Sequence, residues 1–404
     1  MVGLSLFLLV GVGILTWSVL DDDTYVVPPP SAGPALARPA EAARSLRLLE
    51  QAVGSGDPAL AADAAPEGDR AAAALLRSLV GNARALRVRD FSLRFLDVAG
   101  GTEEDTWTAA VDATWRFAGF DRTSARAEVL VRFAGEDAGI VAVGGATGVA
   151  PVWLAGPATV RRTPDVLVLV AGTGAAQDAA ARGYLARGRD ALPVVGRVLP
   201  SWDGPLVIEV PAGPGELDRV LDADAGAYAG VAAVTASPDA TSAPGVPVHV
   251  FLNPAEFDRL RPLGAQVVMS HEATHVATDA TTSRQMPQWL VEGFADYVSL
   301  RDVRIPDARA AAQVIEQVRA DGPPRALPGA VEFDASTGHA GAAYESAWIA
   351  CRVLVERRGE DALVDLYAAV REGQPLADVL RSSFGWSEAQ LVRAWRTRLS
   401  DLAA

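Results

Sequence analysis

His271-Glu272-Ala273-Thr274-His275 is the stretch that decides the fold of this 404-residue chain. It lies within residues 266–278, whose apolar and small residues fit one helix. Residues four apart lie on the same face of a helix, about one turn from each other, so both imidazoles can reach one metal ion. Histidine nitrogens bind zinc at about 2.0–2.1 Å. The stretch therefore predicts two ligands of a zinc site on a helix.

Glu272 directly follows the first histidine, so its carboxylate points beside the metal and not at it. From that position it can take a proton from a zinc-bound water without displacing the water. The chain has only 4 histidines, and two of them rarely fall at this spacing around a glutamate by chance. The alternative is a surface helix that happens to carry a pair of histidines. The motif predicts Glu272 as a catalytic base.

A third protein ligand is expected downstream, because a catalytic zinc site has three protein ligands and one open position. Glu292 lies in residues 289–297, which follow Pro287 and fit a new helix with one apolar stripe. An unpaired carboxylate on such a helix is costly, and zinc coordination removes that cost. A salt bridge to an arginine is the alternative. The apolar stripe consists of Leu290, Phe294 and Val298.

Asp296 comes one helical turn after Glu292, on the same face. A carboxylate there can accept the outer N–H of a ligating histidine and so fix its tautomer and ring orientation. The alternative is a solvated aspartate on the helix surface. Beside the three ligand candidates, the contact to a histidine is the preferred interpretation.

The helix at residues 271–275, followed by Glu292-Gly293-Phe294-Ala295-Asp296, resembles the gluzincin metallopeptidases, the clan that includes thermolysin and a large family of zinc aminopeptidases. It is most similar to the compact peptidase MA-like domains of bacteria, whose Trp-Leu-x-Glu-Gly-x-Ala helix stands here at residues 289–295. The resemblance implies a zinc peptidase domain with a small sheet followed by a helical half. It also implies one zinc ion per chain, with ligands His271, His275 and Glu292, base Glu272 and supporting residue Asp296.

The resemblance further implies a tyrosine or histidine that stabilises the oxyanion of the tetrahedral intermediate. Tyr344, at the start of a later predicted helix, corresponds to that tyrosine, and His339 is its competitor. A half-buried helix aromatic is the alternative for Tyr344. For His339 the alternative is a solvated loop residue.

The gluzincin aminopeptidases carry a Gly-x-Met-x-Asn stretch that captures the free amine of the substrate, and this sequence has none. The resemblance implies a peptide or protein substrate, and the departure favours an endopeptidase over an aminopeptidase. One alternative is a zinc-containing but non-catalytic cell-surface binding or scaffold protein. Another is an exported chaperone or envelope-organising module. Glu272 argues against a purely structural zinc site, which needs no base beside its ligands.

Composition excludes several other functions. Half of the residues are hydrophobic and 21% are charged, so the chain can bury a core. The net charge of -14 argues against nucleic-acid binding, which needs a basic face. The chain has no lysine, which excludes Schiff-base chemistry. A single Cys351 excludes an intramolecular disulfide and a cysteine metal cluster, and we expect it to be a buried, inert thiol.

The N-terminus predicts a membrane anchor. Residues 2–20 are nearly all apolar, carry no charge and are long enough to cross a bilayer as a helix. Residues 21–39 begin with three aspartates and are rich in proline, which favours a stiff tether. A cleaved signal peptide and a buried helix of a soluble protein are the alternatives. We expect a single-pass protein of the cell membrane with most of the chain outside the cytoplasm.

Residues 40–150 predict an α+β domain similar to the cone-shaped nuclear-transport-factor-like fold, a fold that commonly binds ligands or protein partners. Two helical segments precede four alternating, strand-like segments separated by turn signals. The helices are expected at 40–53 and 69–80, and the strands at 86–98, 106–117, 125–133 and 140–143.

Residues 151–404 predict a second α+β domain, the gluzincin-type zinc peptidase. Short apolar strands alternate with helices up to about residue 260, and helices dominate from residue 264 onward. His249 falls in one of the strands, where packing is a more common role for histidine than chemistry. The strands are expected at 166–170, 206–210, 231–235 and 248–252, with helices at 174–192 and 214–221.

Overall fold

The computed structural model describes residues 37–404 except 104–105, 145–148, 239–244, 283–285 and 334–339. The predicted anchor at 2–20, nearly all of the tether and His339 lie outside the described residues. None of the helices in the described part of the chain combines the length and apolarity that crossing a bilayer requires. The described chain is an α+β structure built on two sheets.

The first part of the chain consists of three helices and a four-stranded antiparallel sheet, here called the N-terminal sheet, in the order β1-β2-β3-β4. The helices are α1 (Pro39–Ser55), α2 (Pro58–Ala62) and α3 (Arg70–Leu86). The strands are β1 (Val88–Glu103), β2 (Thr106–Phe117), β3 (Ala125–Ala134) and β4 (Gly139–Val143). Most of these elements match the predicted ones within a few residues at their ends. Strand β1 and helix α3 end five and six residues later than predicted, and α2 was not predicted.

Local sequence explains these elements. Asp57 and Asp69 accept backbone N–H bonds at the starts of α2 and α3, where the first turn of a helix leaves its N–H groups unpaired. On β2 every second side chain points into the core, as the alternation predicts. The buried side chains of β2 include Trp107, Ala109, Val111, Ala113, Trp115 and Phe117.

The second part opens with a mixed five-stranded sheet, here called the central sheet, in the order β5-β6-β7-β9-β8. Strands β6, β7 and β9 are parallel, and each outer strand runs antiparallel to its neighbour. The strands are β5 (Ala158–Arg162), β6 (Val166–Ala171), β7 (Leu206–Val210), β8 (Ala233–Ala236) and β9 (His249–Leu252). The helices between and beside them are α4 (Val152–Ala155), α5 (Ala175–Val198) and α6 (Pro214–Val220).

The inner strands of the central sheet are buried on both faces, which explains why they read as continuous apolar runs. Leu167, Val207 and Phe251 belong to the core shared with the first part of the chain. On the opposite face, Val168 and Ile208 pack into the core of the helical half. Both parts of the chain therefore cover the same sheet.

The helical half follows the central sheet. Helix α8 packs against α5 and α9, and α9 packs against α12. A 3-10 turn at Ala280–Thr282 and a π-helical turn at Leu380–Phe384 connect helices. The helices are α7 (Pro254–Phe257), α8 (Pro262–Ala277), α9 (Gln288–Leu300), α10 (Asp307–Ala310), α11 (Ala312–Asp321), α12 (Ala340–Arg358), α13 (Glu360–Arg371), α14 (Leu376–Val379) and α15 (Glu388–Ala403).

Gly293 allows α9 and α12 to approach closely. A Cβ at this position would lie 2.4 Å from the backbone oxygen of Ala347 and 3.1 Å from Sγ of Cys351. The first distance is far inside van der Waals contact, so no larger residue fits without moving a helix. Cys351 is buried and unpaired, as expected, and burial raises the pKa of its thiol.

Candidate metal centre

Two packed helices carry the predicted metal ligands. The two histidines His271 and His275 lie one turn apart on α8, and Glu292 lies on α9 beside them. Helix α8 begins with Pro262 in its first turn, where a missing backbone N–H costs nothing. All three side chains are buried. The stripe of α9 predicted from the sequence, which includes Leu290 and Phe294, faces the core and fixes the direction of Glu292.

The three ligand atoms converge on one point. Nε2 of His271 lies 2.9 Å from Nε2 of His275. Oε2 of Glu292 lies 3.2 Å from the first nitrogen and 3.3 Å from the second. Ligand atoms at tetrahedral positions around zinc are about 3.3 Å apart, given bonds of about 2.0–2.1 Å. The two distances to Oε2 of Glu292 match this separation, and the distance between the two nitrogens is about 0.4 Å shorter.

The protonation of His271 supports a metal at this point. Its Nδ1 lies 2.8 Å from Oδ1 of Asp296, a carboxylate that can only accept, so the proton sits on Nδ1. In the neutral imidazole, Nε2 then carries the lone pair, and it faces Nε2 of His275 and Oε2 of Glu292. Asp296 therefore makes the contact that was predicted for it. Nδ1 of His275 is buried and has no hydrogen-bond partner in the part of the chain that the structure describes.

The electrostatics of the cluster favour a positive charge at its centre. Burial alone lowers the pKa of His271, but the charge and hydrogen bond of Asp296 and the hydrogen bond of Glu292 outweigh it, so the pKa lies well above its ordinary value. Burial alone raises the pKa of Glu292, but the charge of His275 and the hydrogen bonds of both imidazoles hold it far below its usual range. A divalent cation would supply this positive charge in place of protons.

Two positions that the sequence interpretation missed hold the site carboxylates. Gln288 donates from Nε2 to Oε1 of Glu292 at 2.6 Å, which leaves Oε2 for the metal. Its spacing of four residues before Glu292 on one helix was the available signal. Thr235 on β8 donates to Oε2 of Glu272 at 2.7 Å. No sequence signal marked Thr235, because the contact depends on how β8 packs against α8.

Tyr344 lies at the site, on α12. Its ring centroid is 6.0 Å from that of His271, in an edge-to-face arrangement. Burial and the charges of the neighbouring carboxylates raise the pKa of its hydroxyl. Tyr344 therefore stays protonated and can donate a hydrogen bond at neutral pH.

Two cavities lie beside the ligand cluster. One, of about 370 Å³, lies beside His271, Glu272 and Tyr344. The other, of about 280 Å³, lies beside His275 and Glu292. The first is lined mainly by apolar residues, among them Val231, Ala232, Val267, Val268 and Phe333. The second includes Thr235, Thr281, Met286, Gln288 and Val291.

His249 lies away from this cluster. It is fully buried on β9, with Nδ1 2.7 Å from Oε1 of Glu209 and Nε2 3.0 Å from Oδ1 of Asp121. Its ring stacks on Phe117, which belongs to the N-terminal sheet. The side chain thus links the two parts of the chain, which is a packing role with an ionic component.

Among known proteins, only solved structures match this chain. No family model matches the chain, and no curated protein matches it either. Solved structures of M1 zinc metallopeptidases do match. The enzyme from Deinococcus radiodurans has 16% sequence identity and a TM-score of 0.35, over 76% of this chain and 60% of that chain. A mutant of it bound to a Tyr-Ser-Ala substrate gives the same values.

A two-domain M1 zinc metallopeptidase mutant bound to L-tryptophan matches with 17% identity and a TM-score of 0.34, over 77% of this chain. The chain spans about 60% of the length of these proteins. It is thus distantly similar in structure to M1 zinc metallopeptidases, members of the gluzincin clan that the motifs resemble. At this level of similarity, the assignment of the site rests on its own geometry.

Proposed function

We propose that this chain is a zinc-dependent metallopeptidase that hydrolyses peptide bonds. The observation that carries the proposal is the convergence of His271, His275 and Glu292 on one point, with Glu272 beside them and buried. A structural zinc site is closed by four protein ligands, whereas a catalytic one has three and keeps a position open. The cluster in the described part of the chain has three candidate ligands, as a catalytic site does.

The chain's own residues supply the acid–base chemistry. Zinc, when bound, is a Lewis acid that polarises the scissile carbonyl and lowers the pKa of water toward neutrality. Glu272 takes the proton of the attacking water and delivers it to the leaving amine. Tyr344 donates a hydrogen bond to the oxyanion that develops at the carbonyl. Asp296 holds His271 in the tautomer that presents Nε2 to the metal.

Endopeptidase action is the form of the activity that we propose. The two cavities beside the cluster, one next to His271 and the other next to His275, would give room for substrate residues before and after the scissile bond. An aminopeptidase needs a carboxylate for the free amine of its substrate. The acidic side chains that line these two cavities in the described chain are Glu272, Glu292 and Asp296. Glu292 is held by Gln288 and the imidazoles, Asp296 is held by His271, and Glu272 is the proposed base of the reaction.

The remaining sequence predictions complete the proposal. Residues 2–20 would anchor the chain in the cell membrane, and residues 21–39 would space it from the bilayer, outside the cytoplasm. The part at 40–150, with its helices before an antiparallel sheet, would be a nuclear-transport-factor-like unit that engages a protein partner. The support for the anchor is the uncharged apolar run, and for the unit the order of its elements.

Glu272→Gln tests the function directly, because it keeps the shape of the side chain and removes the base. The variant should bind zinc like the parent and lose hydrolysis of a quenched fluorescent peptide library by at least about a hundredfold. Glu316→Gln, an exposed position on α11, is the matched control and should behave like the parent. Equal turnover by Glu272→Gln would refute the mechanism. Zinc binding without hydrolysis by the parent would favour the non-catalytic binding protein.

A further inference from the structure

Strand β8 contacts the base of the proposed reaction through one side chain. Thr235 lies on this strand, which pairs only with β9 in the described sheet and runs beside α8. Its Oγ1 lies 2.7 Å from Oε2 of Glu272 and 3.1 Å from the backbone oxygen of the same residue. The hydroxyl has one proton, so the two oxygens compete for it.

The carboxylate is the stronger acceptor of the two. Hydrogen bonds to ionised acceptors are shorter and roughly twice as strong as neutral ones, and the distance to Oε2 is the shorter one. The backbone oxygen of Glu272 also lies within a regular helix, where it has the N–H four residues later as its ordinary partner. The hydroxyl proton therefore goes to the carboxylate.

This bond restrains a side chain that has three rotatable bonds. The β-branched threonine has a restricted rotamer of its own, so it is a stiff donor. Holding Oε2 leaves Oε1 as the oxygen that can receive a proton from water. Proton transfer by a general base depends on such positioning within hydrogen-bond distance of the reacting group.

We propose that Thr235 is a positioning residue for Glu272: its hydroxyl holds one oxygen of the carboxylate so that the other faces the reacting water. The proposal rests on the proposed peptidase function. Because Thr235 is on an outer strand of the central sheet, the orientation of the base is fixed by the sheet and not by α8 alone.

Kinetics of three variants test the role. Thr235→Val removes the hydroxyl at constant shape and should lower kcat by about 10- to 100-fold with KM changed less than about twofold. Thr235→Ser keeps the hydroxyl and should stay within about threefold of the parent. Thr159→Val is the matched control, since Thr159 lies half-buried on the opposite outer strand and donates to the Gly172 oxygen at 2.9 Å. A slow Thr235→Ser, or an unimpaired Thr235→Val, would overturn the proposal.

A second experiment needs neither zinc nor turnover. Urea unfolding of the zinc-free protein is compared for Thr235→Val, Glu272→Ala and the double variant. If the hydroxyl binds the carboxylate, Thr235→Val lowers the unfolding midpoint in the parent, and this shift falls by at least half in the Glu272→Ala background. An equal shift in both backgrounds would place the proton on the backbone oxygen and overturn the proposal.

The two experiments separate the failure of this inference from the failure of the proposed function. Energetic coupling between Thr235 and Glu272, combined with a parent that hydrolyses no peptide, refutes the peptidase and with it the catalytic purpose of the contact. Hydrolysis that depends on Glu272, combined with additive unfolding shifts, leaves the peptidase in place and refutes the role of Thr235.

Discussion

At the residue scale, a hydrogen bond from a neighbouring side chain orients each of three site residues. Gln288 holds Glu292, Asp296 holds His271, and Thr235 holds Glu272. Of these contacts, the sequence predicted only the one from Asp296, because a ligating histidine needs a partner for its outer N–H and Asp296 lies one turn after the ligand candidate Glu292. The Thr235 contact crosses between elements far apart in the sequence, so no local pattern reveals it.

The contact between Asp296 and His271 leads to a prediction about metal affinity. Asp296→Asn should weaken zinc binding by about 10- to 100-fold, because it removes the charge that fixes the tautomer of His271. Competition with a chromogenic chelator measures the zinc affinity of each protein. Asp302→Asn, at a half-exposed aspartate paired with arginines, is the control and should bind zinc like the parent. Unchanged affinity in Asp296→Asn would show that Asp296 does not support the metal.

Tyr344 allows a test of oxyanion stabilisation. Tyr344→Phe should lower kcat by about 100- to 1000-fold, because it removes one donor to the developing charge and keeps the ring that packs on His271. Zinc content should not change. The measurement is steady-state hydrolysis alongside metal analysis. A variant with parental kcat would remove Tyr344 from the mechanism.

At the element scale, α9 was predicted from its apolar stripe and from Pro287 before it, and its observed start lies within one residue of the predicted one. Helix α8 was predicted from the His271–His275 motif, and it begins four residues earlier than predicted. Strand β5 was missed because its short sequence ends in two arginines, as a loop often does. Its residues are only half-buried, so no apolar run marks it. The sequence also did not reveal that α12 packs directly over α9. That contact depends on Gly293, whose neighbour Ala347 lies 54 residues later in the chain.

The close approach at Gly293 predicts a large effect from a single methyl group. Gly293→Ala should lower the free energy of unfolding by about 2–4 kcal/mol and weaken zinc binding, because α9 must move away from α12 and takes Glu292 with it. Gly183→Ala on α5 is the control: its Cβ would meet no atom within 4 Å, and alanine favours helix. Urea unfolding measures both variants. A Gly293→Ala protein as stable as the parent would contradict the packing.

At the scale of the whole molecule, the central sheet joins both parts of the chain, and His249 lies at that junction. The sequence predicted two successive α+β parts but not that they share a sheet, since nothing local shows which face of β7 or β9 is covered by which part. The link also pairs His249 with Asp121, which comes from the turn after β2.

The buried link predicts how stability depends on pH. Burial alone lowers the pKa of His249, but the charges and hydrogen bonds of Asp121 and Glu209 outweigh it and raise the pKa to about 9, from an ordinary 6.5. Because the folded-state pKa is raised, the stabilisation is fully present below pH 6.5 and is lost as the pH rises through 9. The free energy of unfolding should fall by about 3 kcal/mol over this range.

Urea unfolding at pH 6.5 and pH 10 compares the parent with His249→Gln. The difference in unfolding free energy between the two proteins should be large at the lower pH and should shrink at the higher pH, since only the parent carries the titrating imidazole. A difference that stays constant over this range would show that His249 is neutral in the folded protein.

The zinc content of the intact chain tests the central claim most directly, measured by elemental analysis for the parent, Glu292→Ala and the control Glu316→Ala. We predict one zinc per chain in the parent and in the control, and a loss of bound zinc in Glu292→Ala, because two histidines alone hold the metal weakly. No zinc in the parent after reconstitution, or equal zinc in Glu292→Ala, would contradict the assignment of the site.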